Sequence, residues 1–259
     1  MSVRREHALV RRSASVAAAF LAAYENDDGD AEHDGEFALL ARLAQVEPVV
    51  ILDVGANVGH WTAAARRCFP NATIHAFEPA PPTFDRLQRR FAHDGGVHAH
   101  PVALGAGTGS ARLGYDVAHT EVASLAVLPA GSETFDVAVR AGDDVLDEHA
   151  IERVHLLKVD AEGYDLEVLR GFVRAFARGA VDIVQFEVSP WNSVARVWVH
   201  DLVDALGEGW TTGRVFPQHV ALAPYSPELE RFQHRQNHVA VRADRPDLVV
   251  AVAGRRGHR

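Results

Sequence analysis

The stretch VVILDVGANVG, residues 49–59, decides the fold of this 259-residue chain. Its apolar half is short, continuous and β-branched, as is typical of a parallel strand covered on both faces by helices. Gly55 and Gly59 allow a tight turn and a close approach of the backbone to a ligand, while Asn57 tolerates positive φ. A helix-like segment from Trp61 to Phe69 follows. The stretch therefore predicts a central strand, a ligand-binding loop at its carboxyl end and a helix.

The charge of this loop predicts the ligand that it binds. A dinucleotide fingerprint needs glycine two and five positions after Gly55, and Asn57 and His60 occupy those positions. That fingerprint brings a helix N-terminus against a pyrophosphate, whereas S-adenosylmethionine has no phosphate and carries an ammonium group and a sulfonium. Asp53 suits a cationic ligand and would oppose a pyrophosphate. The loop therefore favours S-adenosylmethionine over a nicotinamide or flavin cofactor, and over a glycine turn without a ligand.

A carboxylate ends the second strand-like run, ATIHAFEP at residues 72–79. An acid at the tip of the second strand can accept hydrogen bonds from both ribose hydroxyls of a nucleoside. Glu78 is the candidate for this role. The alternative is an ordinary strand-end charge at the start of the helix that follows Pro81 and Pro82. The spacing from Asp53 favours the ribose role.

The run VHLLKVDAEG, residues 154–163, begins as a buried strand and then carries three charges. Charges clustered where an apolar strand stops usually face a cleft, because burying them unpaired is costly. Asp160 and Glu162 are therefore predicted to lie in a strand-to-helix loop at the same carboxyl edge as Asp53. If the bound S-adenosylmethionine donates its methyl group, Asp160 or Glu162 would position the molecule that accepts it and could remove a proton from that acceptor. Lys158 either shapes the local charge or forms a structural pair with one of the carboxylates.

Carboxylates near predicted strand ends raise the question of a metal. Asp160, Glu162 and Glu187 are candidate ligands, since a few oxygens of this kind could hold Mg²⁺ for a diol acceptor. Nothing in their spacing requires an ion, and the metal-free interpretation is favoured.

Histidine is abundant, with 15 residues. His93, His98 and His100 flank a glycine pair rather than forming a His-x-x-x-His helix face, so a solvated surface is favoured there and no zinc site is predicted. His60 and His119 are the histidines to check for proximity to the cleft.

Alternating strand-like and helix-like runs predict an α/β fold with a doubly wound sheet and helices on both faces. The predicted strands are Val49–Val54, Thr73–Phe77, Val97–Ala103, His155–Asp160 and Val181–Val188. Short runs predict a small β insertion beside the site: Ala111–Tyr115, Ser124–Leu128 and Phe135–Val139. Gly213–Phe216 and His238–Arg242 are predicted to be the antiparallel pair that finishes the sheet. The domains are predicted as an N-terminal helical extension (1–47), the main domain (48–245) and a C-terminal tail (246–259).

The amino-acid composition argues against some classes of protein and of binding partner. With 47% apolar and 24% charged residues the chain can bury a sizeable core. A net charge of −9 argues against a general nucleic-acid binder, because affinity for phosphates depends on clustered Lys and Arg. The single cysteine, Cys68, excludes an internal disulfide and a Cys-based zinc cluster.

The N-terminus carries basic residues ahead of the apolar run Val16–Ala23. That run is too short to span a bilayer and acidic residues follow it, so an amphipathic helix is favoured over a targeting segment. We therefore predict no membrane association and a cytoplasmic location. The acidic segment Glu25–Glu36 is interpreted as a solvated linker. The sharper alternatives are that helix and linker form a lid over the acceptor pocket or a homodimer contact.

Taken together, the segments resemble the FkbM family of methyltransferases over about residues 49–190. The most specific match is LKVDAEG at residues 157–163, where the family has Leu-Lys-Ile-Asp-x-Glu-Gly. DVGANVG at 53–59 and FEP at 77–79 match its opening motif and its acidic strand end, and VALG at 102–105 matches a less specific position. The chain departs from the family at 140–144, where RAGDD replaces the commoner Thr-Leu-Asp.

The resemblance implies a Rossmann-like class I methyltransferase that moves a methyl group from S-adenosylmethionine to a hydroxyl of a small molecule, commonly a sugar or polyketide-type natural product. The predicted catalytic residues are Asp160, Glu162 and Lys158. The predicted cofactor-binding residues are Asp53, Gly55, Ala56, Asn57, Gly59, Glu78, Pro79, Ala103 and Asp160. Two alternatives stay open: a binding subunit of the same fold without turnover, and a methyltransferase with a macromolecular acceptor.

Overall fold

A computed structural model describes residues 7–24, 26–27, 31–115, 123–126, 133–230 and 235–254. The helices are α1 (Ala8–Tyr24), α2 (Glu36–Leu43), α3 (His60–Cys68), α4 (Pro81–Arg90), α5 (Gly142–Glu148), α6 (Asp165–Arg170), α7 (Val173–Ala177), α8 (Pro190–Ala195), α9 (Val199–Leu206) and α10 (Pro246–Ala253). Short 3₁₀ turns occupy Ala44–Val46 and Pro227–Leu229.

The strands are β1 (Val50–Val54), β2 (Thr73–Phe77), β3 (Val97–His100), β4 (Ala103–Gly105), β5 (Gly109–Tyr115), β6 (Ala123–Ser124), β7 (Glu133–Ala141), β8 (Leu156–Val159), β9 (Ile183–Val188), β10 (Trp210–Val215), β11 (Val220–Leu222) and β12 (Gln236–Arg242). The main sheet has the order β11-β10-β12-β9-β8-β1-β2-β3. Neighbouring strands are parallel from β9 through β8, β1 and β2 to β3. β12 lies antiparallel between β9 and β10.

Helices pack on both faces of the main sheet because its central strands are mainly apolar. Along β1, Leu52 joins a core cluster with α5, α6, α7 and α9, whereas Ile51 joins a cluster with α2, α3 and α10. Successive side chains of a strand point to opposite faces, so a continuous apolar run serves both layers. The predicted α/β class with helices on both faces is confirmed, and so is the antiparallel pair of β10 and β12 at its end.

One predicted strand, Val97–Ala103, is wrong as a single element. It ends at His100, and Ala103–Gly105 pairs with β7 in a second sheet of order β4-β7-β5-β6. Pro101 separates the two pieces, and proline cannot donate to a strand ladder, so the chain changes sheets there. The second sheet is the predicted insertion, in which β5 pairs antiparallel with β7 and with the short β6. Residues 127–128 of the predicted middle strand lie outside the described residues.

Both chain ends contribute to the core more than the sequence suggested. In α2, Leu39, Leu40 and Leu43 are fully buried, although the segment was assigned to an N-terminal extension. Pro246–Ala253, assigned to a tail, is instead a helix whose Leu248 and Val252 pack in the same cluster. The domain boundaries otherwise stay a prediction.

The N-terminal helix α1 contrasts with these segments, because none of its residues is buried. Its apolar side chains, including Val16 and Phe20, are largely exposed. Within the described parts of the chain, no helix is long and apolar enough to cross a membrane.

Candidate active site

A cavity of about 490 Å³ opens at the carboxyl ends of β1, β2, β8 and β9. This is the edge at which doubly wound sheets bind their ligands. Most of the residues predicted from the sequence line it: Gly55, Ala56, Asn57, Glu78, Pro79, Ala103, Lys158, Asp160, Glu162, Glu187 and His60. Asp53 and Gly59 are not part of the lining, and His119 lies outside the described residues.

The β1–α3 loop turns through residues with positive φ, as predicted. Gly55 has φ +79° and Asn57 has φ +50°. A Cβ at Gly55 would lie 1.8 Å from the Asp160 carbonyl oxygen, so glycine is needed for the approach of β8 as well as for the turn. At Gly59, a Cβ would meet the side chains of Leu87 and Phe91 instead, so this glycine lets α4 pack against the start of α3.

Glu78 lies just beyond β2 with its carboxylate in the cavity wall. The Asn57 N–H donates to its Oε2 at 2.9 Å, and the Ala80 N–H donates to its Oε1 at 2.8 Å. Burial raises the pKa of Glu78 to about 7, against the two hydrogen bonds, which lower it. Since each carboxylate oxygen has a second lone pair, both can still accept a hydroxyl group. These two backbone hydrogen bonds hold the carboxylate in the cavity wall, and its ribose role stays a prediction.

Asp53 lies behind the cavity and is fully buried. Thr62 Oγ1 donates to its Oδ2 at 2.5 Å, and Lys158 Nζ lies 3.9 Å from its Oδ1. Burial raises the pKa of Asp53, and Lys158 opposes that shift. Its carboxylate therefore faces a protein cation and does not line the cavity, and its assignment to the cofactor site stays a prediction.

Lys158 lines the cavity and lies between the buried Asp53 and Asp160. Its Nζ donates to Asp160 Oδ2 at 2.9 Å, and the ammonium lies 5.7 Å from the centroid of the Trp61 ring. The carboxylates Asp160, Asp53 and Glu36 around it raise its pKa despite burial, so it stays charged. The structural pairing weighed for Lys158 is observed, and the pair also sets the position of Asp160.

Asp160, Glu162 and Glu187 converge at the β8 and β9 ends, with one oxygen of each lying within 4.8 Å of the others. Burial, and then the charge of Asp160, raises the pKa of Glu162 to about 8. The pKa of Glu187 is raised by the same causes, although Arg235 Nε lies 3.2 Å from its Oε1. Glu162 Oε2 is buried without a hydrogen-bond partner. The cluster thus offers one buried, unpaired oxygen, Glu162 Oε2, to a ligand that can form a hydrogen bond or carries positive charge.

Asp165, which was not among the predicted site residues, holds the loop that carries Glu162. Asp165, at the start of α6, accepts the Ala161 N–H and the Gly163 N–H, each at 3.1 Å. Glu162 itself has φ +49°, and its carbonyl accepts the Ser124 hydroxyl at 2.8 Å. Asp165 therefore ties the loop of residues 161–163 to the start of α6.

Other lining residues come from segments distant in sequence. Glu36, at the start of α2, accepts a hydrogen bond from Gln185 Nε2 at 2.6 Å, and burial raises its pKa to about 7. Tyr164, Arg86 and Arg235 also line the cavity. No local pattern marks these residues as part of a site, because they reach it only through packing.

Comparisons with known proteins show similarity to methyltransferases. A family model described as the methyltransferase FkbM domain matches residues 53–221. "Methyltransferase 1" of Beauveria bassiana is 36% identical over 142 residues, covering 47% of this chain and 57% of that protein. The hexuronic acid methyltransferase AglP of Haloferax volcanii is 32% identical over 130 residues, covering 50% and 52%.

A third relative, the 31-O-demethyl-FK506 methyltransferase FkbM of Streptomyces tacrolimicus, is 29% identical over 191 residues, covering 61% of this chain and 68% of that protein. The chain spans little more than half the length of the first curated relatives it matches. Among solved structures, a methyltransferase FkbM from Methylobacillus flagellatus aligns with a TM-score of 0.49 and 17% identity, covering 74% of this chain and 44% of that one.

Proposed function

The chain belongs to the FkbM family of methyltransferases, and on that premise we propose that it transfers a methyl group from S-adenosylmethionine to a hydroxyl of a sugar or polyketide-type small molecule. The observation that carries the proposal is the carboxylate lining of the cavity at the strand ends. Glu36, Glu78, Asp160, Glu162 and Glu187 line it.

A cationic ligand suits this lining better than an anionic one. Burial holds the pKa values of Glu36 and Glu78 near 7, so a nearby positive charge would favour their ionised forms and would gain from them. S-adenosylmethionine brings an ammonium group and a sulfonium. The five acidic side chains of this lining would instead repel a pyrophosphate, which disfavours the dinucleotide alternative.

The cofactor half of the cavity is assigned to the β1 and β2 ends. The turn from Gly55 to Asn57 provides a backbone surface, and Glu78 is the acceptor for the ribose hydroxyls. Pro79 and Ala103 complete this half of the wall. Bound there, the cofactor supplies an activated methyl group, so the protein needs to align it with an acceptor rather than to form a covalent intermediate.

The acceptor half is assigned to Asp160, Glu162 and Glu187. Lys158 fixes one oxygen of Asp160 at 2.9 Å, which orients the carboxylate toward a hydroxyl donor. Asp160 is our candidate for positioning the hydroxyl and taking its proton, with Glu162 as the second candidate. The raised pKa of Glu162 means that a base role there requires its ionisation when the cofactor's charge arrives.

The names of two relatives support this class of acceptor, since one specifies a hexuronic acid and the other 31-O-demethyl-FK506. Asp160, Glu162 and Glu187 could also hold Mg²⁺. The metal-free mechanism is favoured, because Arg235 already contributes positive charge beside Glu187.

The first experiment is transfer of isotope-labelled methyl from S-adenosylmethionine into fractionated small molecules, with and without a chelator, followed by mass spectrometry. Label in an alkali-stable ether supports the proposal. A rate that is lost with a chelator and restored by Mg²⁺ but not by Zn²⁺ would assign Mg²⁺ to the acid cluster. Stoichiometric cofactor binding without turnover would favour a non-catalytic subunit, and label found only in macromolecules would favour the other alternative.

A variant tests the role of Asp160. We expect Asp160→Asn to lower turnover while the affinity for S-adenosylhomocysteine stays within a few fold, because the amide keeps the shape but not the basicity. Asp204→Asn, an exposed acid on α9 that does not line the cavity, is the matched control and should keep full activity. A fully active Asp160→Asn enzyme removes Asp160 from the catalytic residues.

We also propose a cytoplasmic enzyme, with a homodimer contact through the exposed apolar side chains of α1 as the alternative to a monomer. Sedimentation of the full chain and of Phe20→Ser tests the contact. A monomeric wild-type chain at micromolar concentration contradicts it.

A further inference from the structure

Histidines from three separate elements meet on one face of the main sheet, away from the cavity. The parallel register of β2 and β3 pairs His75 with His98 and Phe77 with His100. His75 and His100 therefore project from the same face of the sheet. His149, directly after α5, covers that face. We call His75, His100 and His149 the histidine cluster; none of them lines the cavity.

The three rings are close enough to share one ion. His75 Nδ1 and His100 Nε2 are 3.1 Å apart, and one ring nitrogen from each of the three residues lies within 4.8 Å of the others. The ring centroids are 5.1 to 5.3 Å apart. Zinc–nitrogen bonds of about 2.0–2.1 Å in a tetrahedron place the nitrogens about 3.3 Å apart. The first pair already has nearly this spacing, and His149, which is exposed, can close the remainder by turning its ring.

Burial within the cluster is graded from the sheet outward. His75 is buried, His100 is half-buried and His149 is exposed. In such a site the innermost ligand, His75, is held within the protein, and the outermost, His149, is accessible to solvent. Pairing of His75 with His100 alone would satisfy one ring nitrogen on each, but it would not account for a third imidazole at the same point.

We propose that the histidine cluster binds one divalent transition-metal ion of the zinc class through three imidazole nitrogens, with its fourth position open to solvent. Imidazole is a ligand that Zn²⁺, Cu²⁺ and Ni²⁺ share, and it is a poor one for Mg²⁺ and Ca²⁺. The neutral imidazole ring is the form that binds metal.

The ion would tie the edge strand β3 and the end of α5 to β2. Its role in this proposal is structural, and it is independent of the methyl transfer proposed for the cavity. In the sequence, His98 and His100 lack the His-x-x-x-His spacing of a helical zinc site. A site assembled from three elements needs no local spacing, so a search for sequence motifs would miss it.

The test uses the full chain, purified with a histidine-free affinity tag and stripped with a chelator. Co²⁺ is the spectroscopic probe, and Zn²⁺ affinity is measured by competition with a chromophoric chelator. We expect one ion per chain, a visible Co²⁺ absorption band that Zn²⁺ abolishes, and a melting temperature that rises with Zn²⁺.

Variants assign the ligands. His149→Ala removes an exposed side chain and should leave the fold intact, while weakening Co²⁺ binding by about tenfold or more; His100→Gln should do the same. His93→Ala, in an exposed turn outside the cluster, and Glu162→Gln, in the acid cluster, are matched controls that should bind as wild type does. The proposal is overturned if no stoichiometric ion binds, if binding survives both ligand variants, or if it is lost in Glu162→Gln.

Discussion

Replacing Gly55 by Ala tests how the cavity is built, because Gly55, just beyond β1, packs against the backbone of Asp160, just beyond β8. A Cβ at this position would be 1.8 Å from the Asp160 carbonyl oxygen and 2.8 Å from its carbon. Neither backbone can move freely. The Asp160 N–H donates to the Val54 carbonyl at 3.0 Å, and the Gly55 N–H donates to the Phe77 carbonyl at 3.0 Å. The new methyl group must therefore push two hydrogen-bonded strand ends apart.

The cost follows from these contacts. A Cβ in the left-handed region costs about 1–2 kcal/mol, and Gly55 has φ +79°. Separating the strand ends to ordinary van der Waals distance weakens the two hydrogen bonds, each worth about 1 kcal/mol. We expect Gly55→Ala to lower the free energy of unfolding by about 3–4 kcal/mol. Because Asp160 moves with its backbone, turnover and cofactor affinity should fall as well.

Urea unfolding followed by circular dichroism measures the stability, and calorimetric titration with S-adenosylhomocysteine measures the affinity. Gly107→Ala is the matched control, since a Cβ at Gly107 meets nothing within 4 Å. Its stability should stay equal or rise by up to about 1 kcal/mol. A Gly55→Ala protein within about 1 kcal/mol of wild type would refute the reasoning, because the strand ends would then have room that the geometry denies them.

Other predictions concern the buried charges. Lys158→Met leaves the Asp53 carboxylate without its cation, so we expect the free energy of unfolding to drop by about 3 kcal/mol in urea; a drop under about 1 kcal/mol would contradict a charged pair. Glu78→Gln should weaken S-adenosylhomocysteine binding about tenfold or more in calorimetry, because a bond to a charged acceptor is worth about 1.5–3 kcal/mol; equal affinity would exclude Glu78 from the cofactor site. Burial raises the pKa of Glu36 from 4.5 to about 7, so the folded protein retains a proton that the unfolded chain releases above pH 4.5. This stabilisation is complete below pH 4.5 and is lost as the pH rises through about 7. The stability of wild type relative to Glu36→Gln should therefore fall by about 3 kcal/mol between pH 4.5 and pH 8, and a difference that does not vary with pH would contradict a buried, protonated Glu36.

Much of the fold was predictable because apolar runs and their periods are local properties. The runs at Val49–Val54 and Thr73–Phe77 form β1 and β2 to within a residue, and the family resemblance is confirmed. The error at Val97–Ala103 has a local cause that the apolar pattern alone did not show. Pro101 interrupts the strand ladder, and the chain enters a second sheet beyond it.

The candidate site was predictable where it follows from the ends of neighbouring parallel strands. Glu78, Asp160 and Glu162 meet at one cavity because β2 and β8 flank β1. Glu36 and Arg235 were missed because they reach the cavity from α2 and from the segment before β12. Such positions depend on how helices pack on a sheet and not on any spacing in the sequence.

The sequence by itself determined most of the order of strands and helices, the glycine turn after β1 and the strand ends that carry carboxylates, since backbone preference and burial pattern act over a few residues. Only the tertiary structure decided that Asp53 faces Lys158 rather than the cavity, that Gly55 must clear the Asp160 carbonyl, and that His75, His100 and His149 meet. Those outcomes depend on strand register and on helix packing between residues far apart in the chain. The physical reason is that ion pairs, hydrogen bonds and metal coordination act over a few ångströms. The tertiary fold determines which residues come that close.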